Sequence, residues 1–246
     1  VQDTPQNNNK LYVNFDRGVL QLMREAKHLS LMGFDIPNSA RVVLLLEDKL
    51  KSYYNHICHA LNCYNKITAQ VPSVCRSLLR PHLLDLEKAI APARTIMTWT
   101  SMNIDTFITS LHTVLGRFEY LVSQINDIIN NRVQKNLNLV STMFLLNIPA
   151  GRTFTLRDFV ALQRSHLETC TEILLAKNEE IERAVDDLVD AVLLYPLDAN
   201  IAKASPFDVN LVKLHYNHLM YHALLSATKR SLNELKKRVS ETGTIT

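Results

Sequence analysis

Apolar residues recur at alternating steps of three and four along three stretches of this chain. Leu46, Leu50, Tyr53, Ile57, Ala60, Tyr64 and Ile67 form the first, and Ile108, Leu111, Leu115, Phe118, Val122, Ile125 and Ile129 the second. The third runs through Leu211, Leu214, His218, Tyr221, Leu225, Thr228, Leu232, Leu235 and Val239. This spacing keeps one stripe of an α-helix turned toward a partner helix. A fourth amphipathic helix carries Leu167, Cys170, Leu174, Ile181, Val185, Leu188 and Val192. The breaks between these segments are short, and sequential long helices with short connections pack antiparallel.

Capping residues and prolines divide the pattern. Asp16 is expected to cap a first helix through Val19, Leu20, Leu22, Met23 and Ala26, which should stop at Gly33. After Pro37, Ser39 is expected to cap a long helix ended by Pro72, and a shorter one with Leu79, Leu83, Leu86 and Ile90 should be interrupted near Pro81 and at Pro92. Apolar residues continue from the second seam to Leu146, and "NIPAGRT" then breaks the helix. Thr155 caps the next helix, with Asp158 in its first turn, and that helix should end before Pro196. "LDANIAKASP" reads as the last loop. "LYVNF" (Leu11 to Phe15) reads as extended, either alone or as the second strand of a hairpin whose first strand precedes Val1. The opening "VQDTPQNNNK" has no initiator Met, which suggests a piece of a longer chain.

The expected fold is all-α: an elongated array of long antiparallel helices forming consecutive bundles, with a short hairpin or extended segment at the start. The expected division is 1–15 for that segment, 16–150 for a first helical region and 151–246 for a second. No fixed-period repeat is present.

One stretch resists the helical pattern. "TIMTWTS" holds the single tryptophan among β-branched residues, a composition that favours strand. A strand there would have no partner in a helical chain. The reading therefore puts Ile96 and Trp99 on one helical face, with the chain turning at Met102 to Ile104 and Asp105 or Asn103 capping the next helix. The indole should pack into this corner, with Ser101 or a threonine hydroxyl covering backbone amides. On that reading Trp99→Ala would cost ~3–5 kcal/mol.

Composition sharpens the picture. Five glycines in 246 residues is far below the usual share of roughly 7%, and folds built on turns or phosphate loops need more. A net charge of +3 is too small to imply nucleic acid or an anionic membrane. Cys58, Cys63, Cys75 and Cys170 lack a disulfide-framework spacing, and no apolar run approaches the ~20 residues of a membrane span.

Candidate chemistry is sparse. The glycines Gly18, Gly33, Gly116, Gly151 and Gly243 are isolated, and GxSxG, HExxH and CxxC are all missing. His215, His218 and His222, at i, i+3 and i+7, are the one candidate zinc set, although no carboxylate or cysteine nearby completes it and a structural role is favoured. In "HICHALNC", His56, Cys58, His59 and Cys63 cannot converge from one helix. Glu179, Glu180, Glu182, Asp186, Asp187 and Asp190 read as a solvated helix face, and "LKKRV" as a basic helix end. Tyr54, Tyr120 and Tyr216 are candidate contact residues only by exclusion. The residues alone support no reaction and lead to a helical-bundle interaction segment. A spectrin-like rod or tethering module and, less favoured, a helical metalloprotein remain as alternatives.

Two motifs go further. "LYVNFDRGVLQLMREAKHLSLMGFDIP" (Leu11 to Pro37) resembles a stretch of the N-terminal tail of dynein heavy chains, in which an extended "VNFD" enters a helix and a "GF.IP" turn precedes another. "LLRPHLLDLEKAIAPARTIMTWTSMNIDTFI" (Leu78 to Ile108) is similar to a second signature of the same tail, ending in a "TW.S..ID" corner. The resemblance covers Leu11 to about Arg132 well and has an axonemal, outer-arm flavour. It departs at Ala93, where glycine is expected after the proline. Its structural motif residues are Asn14, Phe15, Asp16, Gly33, Pro37, Trp99, Ser101 and Asp105. The resemblance implies a non-catalytic segment in the axoneme of a cilium or flagellum. Its implied partners are WD-repeat intermediate chains, light chains, other heavy chains and docking-complex proteins. The ATP and Mg chemistry of such proteins belongs to a motor region that this segment does not contain, so no cofactor is expected here.

Overall fold

A computed structural model describes residues 2–3, 10–149 and 154–242. Residues 150–153 of the break expected at "NIPAGRT", and the glycines Gly151 and Gly243, lie outside the described residues. Among the described residues the fold is all-α apart from one minimal strand pair. Two compact units form: one within 1–71, 81–122 and 197–201, the other within 72–80, 123–196 and 202–246.

The first unit opens with β1 (Gln2–Asp3) paired antiparallel to β2 (Leu11–Tyr12), Gln2 opposite Tyr12. The strand expected before Val1 is therefore supplied by Gln2–Asp3. α1 (Arg17–Leu31) starts at Asp16, whose carboxylate accepts from Gly18 N at 2.8 Å. It ends on Gly33, at φ +81°, with Phe34 N donating to Leu29 O and Gly33 N to Ser30 O. Those bonds satisfy the last free carbonyls, and the left-handed backbone between them suits glycine.

The long helix expected after Pro37 is two helices, α2 (Asn38–Leu45) and α3 (Glu47–Gln70), separated at Leu46. Pro37, not Ser39, holds the cap position, and no side chain caps it. Leu46, first residue of the expected seam, is 37% exposed, so the seam starts at Leu50 and runs through buried Tyr53, Ala60 and Ile67. α4 (Arg80–Thr95) contains both prolines without interruption. Pro81 sits in the first turn, where its missing N–H has no helical acceptor to lose, and Pro92 lies one turn from the end. α5 (Ile104–Asp127) buries Leu111, Leu115, Phe118 and Val122.

The second unit contains a 3-10 turn (Ser73–Cys75), a π-helical stretch (Ile128–Gln134), α6 (Lys135–Thr142), α7 (Leu156–Leu193) and α8 (Pro206–Thr242). The π stretch adds one residue to the turn and so advances the buried stripe by one position. A continued 3–4 seam would have buried Arg132, Asn136 and Leu139; instead Val133, Leu137 and Val140 are buried, with Asn136 beside them, and Leu139 is exposed. The helix stops at Thr142, short of Leu146, as Met143 turns extended. α7 and α8 run antiparallel, joined by Lys213–Asp186 at 2.6 Å. Thr155 caps α7 by accepting from Asp158 N, and Ser205 with Asp208 forms the reciprocal box that opens α8.

The seam expected on α8 is overturned. Its buried stripe is Val212, Tyr216, Met220, Ala223, Ala227 and Ser231, while Leu211, Leu214, Tyr221, Leu232 and Val239 are exposed. α8 packs against α6, and the small Ala223, Ala227 and Ser231 let the helices approach. Ser231 Oγ also accepts from Leu145 N at 2.8 Å, in the segment that follows α6. Closeness of packing decided the face, against the larger but outward-facing stripe.

Candidate functional site

The residues of the two motifs meet in the first unit at a corner built from the segment after β2, the middle of α3 and the turn between α4 and α5. Asn65, on α3, holds β2 in place. Its amide oxygen accepts from Leu11 N and its amide nitrogen donates to Leu11 O, both at 2.9 Å, which imitates a neighbouring strand. Phe15 then falls between two aromatic rings. It packs edge-on against Tyr54, with centroids 5.2 Å apart, and against Trp99 at 4.9 Å. Trp99 Nε1 donates to Asn14 O at 3.0 Å, a bond between residues 85 positions apart.

Trp99 itself sits in a turn rather than on a helix. α4 has already ended at Thr95, and Ile96 is 82% exposed, so these two residues share no helical face. Ser101 closes the turn: its hydroxyl accepts from Thr98 N and its own N–H donates to Thr98 O, both at 3.0 Å. Asp105 lies inside the first turn of α5, with Asn103 immediately before that helix. Its carboxylate accepts from Tyr53 OH at 2.7 Å, tying α5 to α3. The indole is half-buried. Beside it lies a cleft of about 350 Å³ lined by Val13, Asn14, Ile57, Ala93, Trp99 and Phe107. Ala93 continues α4, so the glycine-type break is not made there. Gly33 and Pro37 are placed away from the corner, on the α1–α2 connection, where Arg41 pairs with Asp35 at 2.9 Å.

The corner holds aromatic surface and satisfied polar groups, with no nucleophile beside a base. Cys75 lies fully buried elsewhere, and burial pushes its thiol up to about 11, far from a reactive thiolate. His215, His218 and His222 do not close on a metal. His218 and His222 have Nε2 atoms 2.9 Å apart, while the His215 ring packs on Tyr216. Among the described residues no three His, Cys, Asp or Glu side chains are placed to hold a metal ion. The carboxylates of α7 meet bases instead of each other: Glu179 with Arg183, Glu180 with Lys177, Asp187 with Arg132 and Asp186 with Lys213. Of the three tyrosines, Tyr120 is exposed, Tyr54 supports Phe15 and Tyr216 is buried.

Sequence reasoning missed one cluster. His56 and His59 on α3 face His112 on α5, with ring centroids 6.5 and 5.9 Å away. His56 Nδ1 lies 2.7 Å from Ser52 O, His59 Nε2 is 3.7 Å from Cys63 Sγ, and the buried Nε2 of His112 has no partner. Desolvation, then the charges of His59 and His56, lowers the His112 pKa. The pairing depends on the register of two helices, which spacing along one helix does not carry.

The profile of the dynein heavy chain N-terminal region 1 matches residues 2–107, ending within the corner just described. The dynein gamma chain of the flagellar outer arm of Chlamydomonas reinhardtii is 36% identical over 230 residues, 94% of this chain and 5% of that relative. This chain belongs to the dynein heavy chain family. Dynein axonemal heavy chain 8 of Homo sapiens is 29% identical over 180 residues, 73% of this chain and 4% of the relative. The dynein-1-alpha heavy chain of the flagellar inner arm I1 complex of Chlamydomonas reinhardtii is 33% identical over 132 residues, 54% of this chain and 3% of the relative. The 230-residue match carries the dynein likeness well beyond Arg132, into the helices of the second unit. The chain spans about a twentieth of the length of the curated relatives it matches. It is thus a segment of the N-terminal, tail region of a dynein heavy chain.

Proposed function

We propose that this segment is a non-catalytic scaffold in the tail of an axonemal dynein heavy chain, of outer-arm type. On this reading it assembles intermediate and light chains and neighbouring heavy chains, and helps to anchor an ATP-driven microtubule motor in the axoneme of cilia or flagella. The observation that carries the proposal is the 36% identity to an outer-arm chain across 94% of this chain. The geometry supports it: long helices locked at a corner by aromatic contacts and a long-range hydrogen bond suit a passive frame. The domain division 1–15, 16–150 and 151–246 belongs to the same proposal.

The test is affinity purification of the parent heavy chain, intact or lacking this segment, from ciliated cells. We expect intermediate-chain WD-repeat proteins to co-purify with the intact chain and to be depleted without the segment, together with loss of axonemal localisation. Unchanged subunit composition and localisation would reduce the segment to a spacer and overturn the scaffold reading.

A further inference from the structure

The stripe of α8 that faces outward is itself a complete heptad seam. Leu211, Leu214, His218, Tyr221, Leu225, Thr228, Leu232, Leu235 and Val239 keep the 3–4 alternation over four heptads. Leu214, Tyr221 and Val239 are each more than 60% exposed. α8 already buries its opposite side within the second unit, so the seam is extra to what that unit's own core uses. An ordinary surface helix is polar there.

The flanks of the seam have one sign. The positions following the second apolar residue of each heptad are His215, His222, Lys229 and Lys236. On the other flank, between Leu211 and Val239, stand Asn217, Leu224 and Arg238, with Ser231 turned into the unit's own core, so neither flank carries a carboxylate. In a coiled coil these flanks choose the partner by charge. Among the described residues, Lys229 and Lys236 form no ion pair, whereas Lys213, on the α7 side, is paired with Asp186 and Arg238 with Glu234.

We propose that this seam docks one amphipathic helix of another chain, with an apolar heptad seam of its own flanked by glutamate and aspartate. The proposal rests on the scaffold reading and names the chemistry of one partner. A second copy of this chain fits poorly, because two such helices would bring basic flanks together with no acid to answer them. The His218–His222 pair places a polar step in the seam, which sets the register of the incoming helix.

The test uses the parent heavy chain that contains this segment and two synthetic helical peptides of about four heptads, both with leucine seams, one with glutamate and one with lysine flanks. We expect the glutamate peptide to bind at least about 10-fold more tightly, with an affinity that falls as salt rises. The double substitution Leu214→Asp and Leu232→Asp should abolish binding while the circular dichroism and melting temperature of the chain stay unchanged, since both side chains are exposed. A milder variant, Lys229→Glu with Lys236→Glu, should reverse the preference between the peptides. Equal binding of both peptides, or binding of neither, overturns the inference. Concentration-dependent dimerisation of the chain alone, lost in the Leu214→Asp, Leu232→Asp variant, would overturn it in favour of a second copy. Recovery of intermediate chains by a parent chain carrying the seam substitutions would leave the scaffold reading standing even if the peptides fail to bind.

Discussion

Trp99 concentrates what single side chains do here. Because the indole is half-buried and donates to Asn14 O, its contribution divides into ring packing and one long-range hydrogen bond. Trp99→Phe keeps most of the edge contact with Phe15 and should lower stability by about 1 kcal/mol. Trp99→Ala removes both and should cost about 2–3 kcal/mol, below the range for a fully buried tryptophan. Chemical denaturation of the two variants checks the ratio. Cys75 offers an independent readout: with its thiol buried and raised to about 11, it should resist alkylation at pH 8 while half-buried Cys58 and Cys63 react. His112 gives a pH dependence. Its folded pKa lies below the ordinary 6.5, so the unfolded chain binds the proton more readily. Stability should therefore be complete above pH ~6.5 and decline as the pH falls through the folded pKa. His112→Gln should flatten that part of a melting-temperature profile.

Among the elements, the helices with one clear apolar stripe were legible and the junctions between them were not. Asp16, Thr155 and Gly33 mark their helix ends through local chemistry, and that information is contained within four or five residues. The failures came where a neighbour decided. Leu46 reads as a seam residue but breaks a helix, and Pro81 reads as a breaker but begins one. The exposed stripe of α8 is the more hydrophobic of its two, and only packing against α6 reveals which face is inside. The π stretch at Ile128–Gln134 leaves no compositional trace. The corner was legible by residue and misread by geometry: its members could be named, but the Asn14–Trp99 and Tyr53–Asp105 pairings depend on tertiary register. Gly33 supplies a test at this scale. A Cβ added there meets nothing within 4 Å, so Gly33→Ala suffers only from the positive φ, and should destabilise by ~1 kcal/mol. A thermal melt that shows no loss would mean that the α1 terminus rearranges freely.

At the scale of the whole chain, the all-α character followed from glycine scarcity and repeated 3–4 spacing, whereas the division into two units cuts through α5 and is invisible to any pattern of loops. On the scaffold reading, and with the glycines of the sequence isolated from one another, the chain should be indifferent to nucleotide. Addition of MgATP well above ordinary binding constants should leave the melting temperature unchanged, and a rise of several degrees would reveal a nucleotide site. The bond from Trp99 to Asn14 also bears on how the chain is made. During synthesis the segment from Leu11 to Phe15 emerges first and waits for a partner 85 residues later. At roughly 5–20 residues per second, that interval is on the order of 4–17 s, during which the Asn14 carbonyl and the side of Phe15 that Trp99 covers are open to the wrong contacts. A nascent chain stalled before Trp99 should therefore lean on chaperones more heavily than one stalled just beyond Asp105.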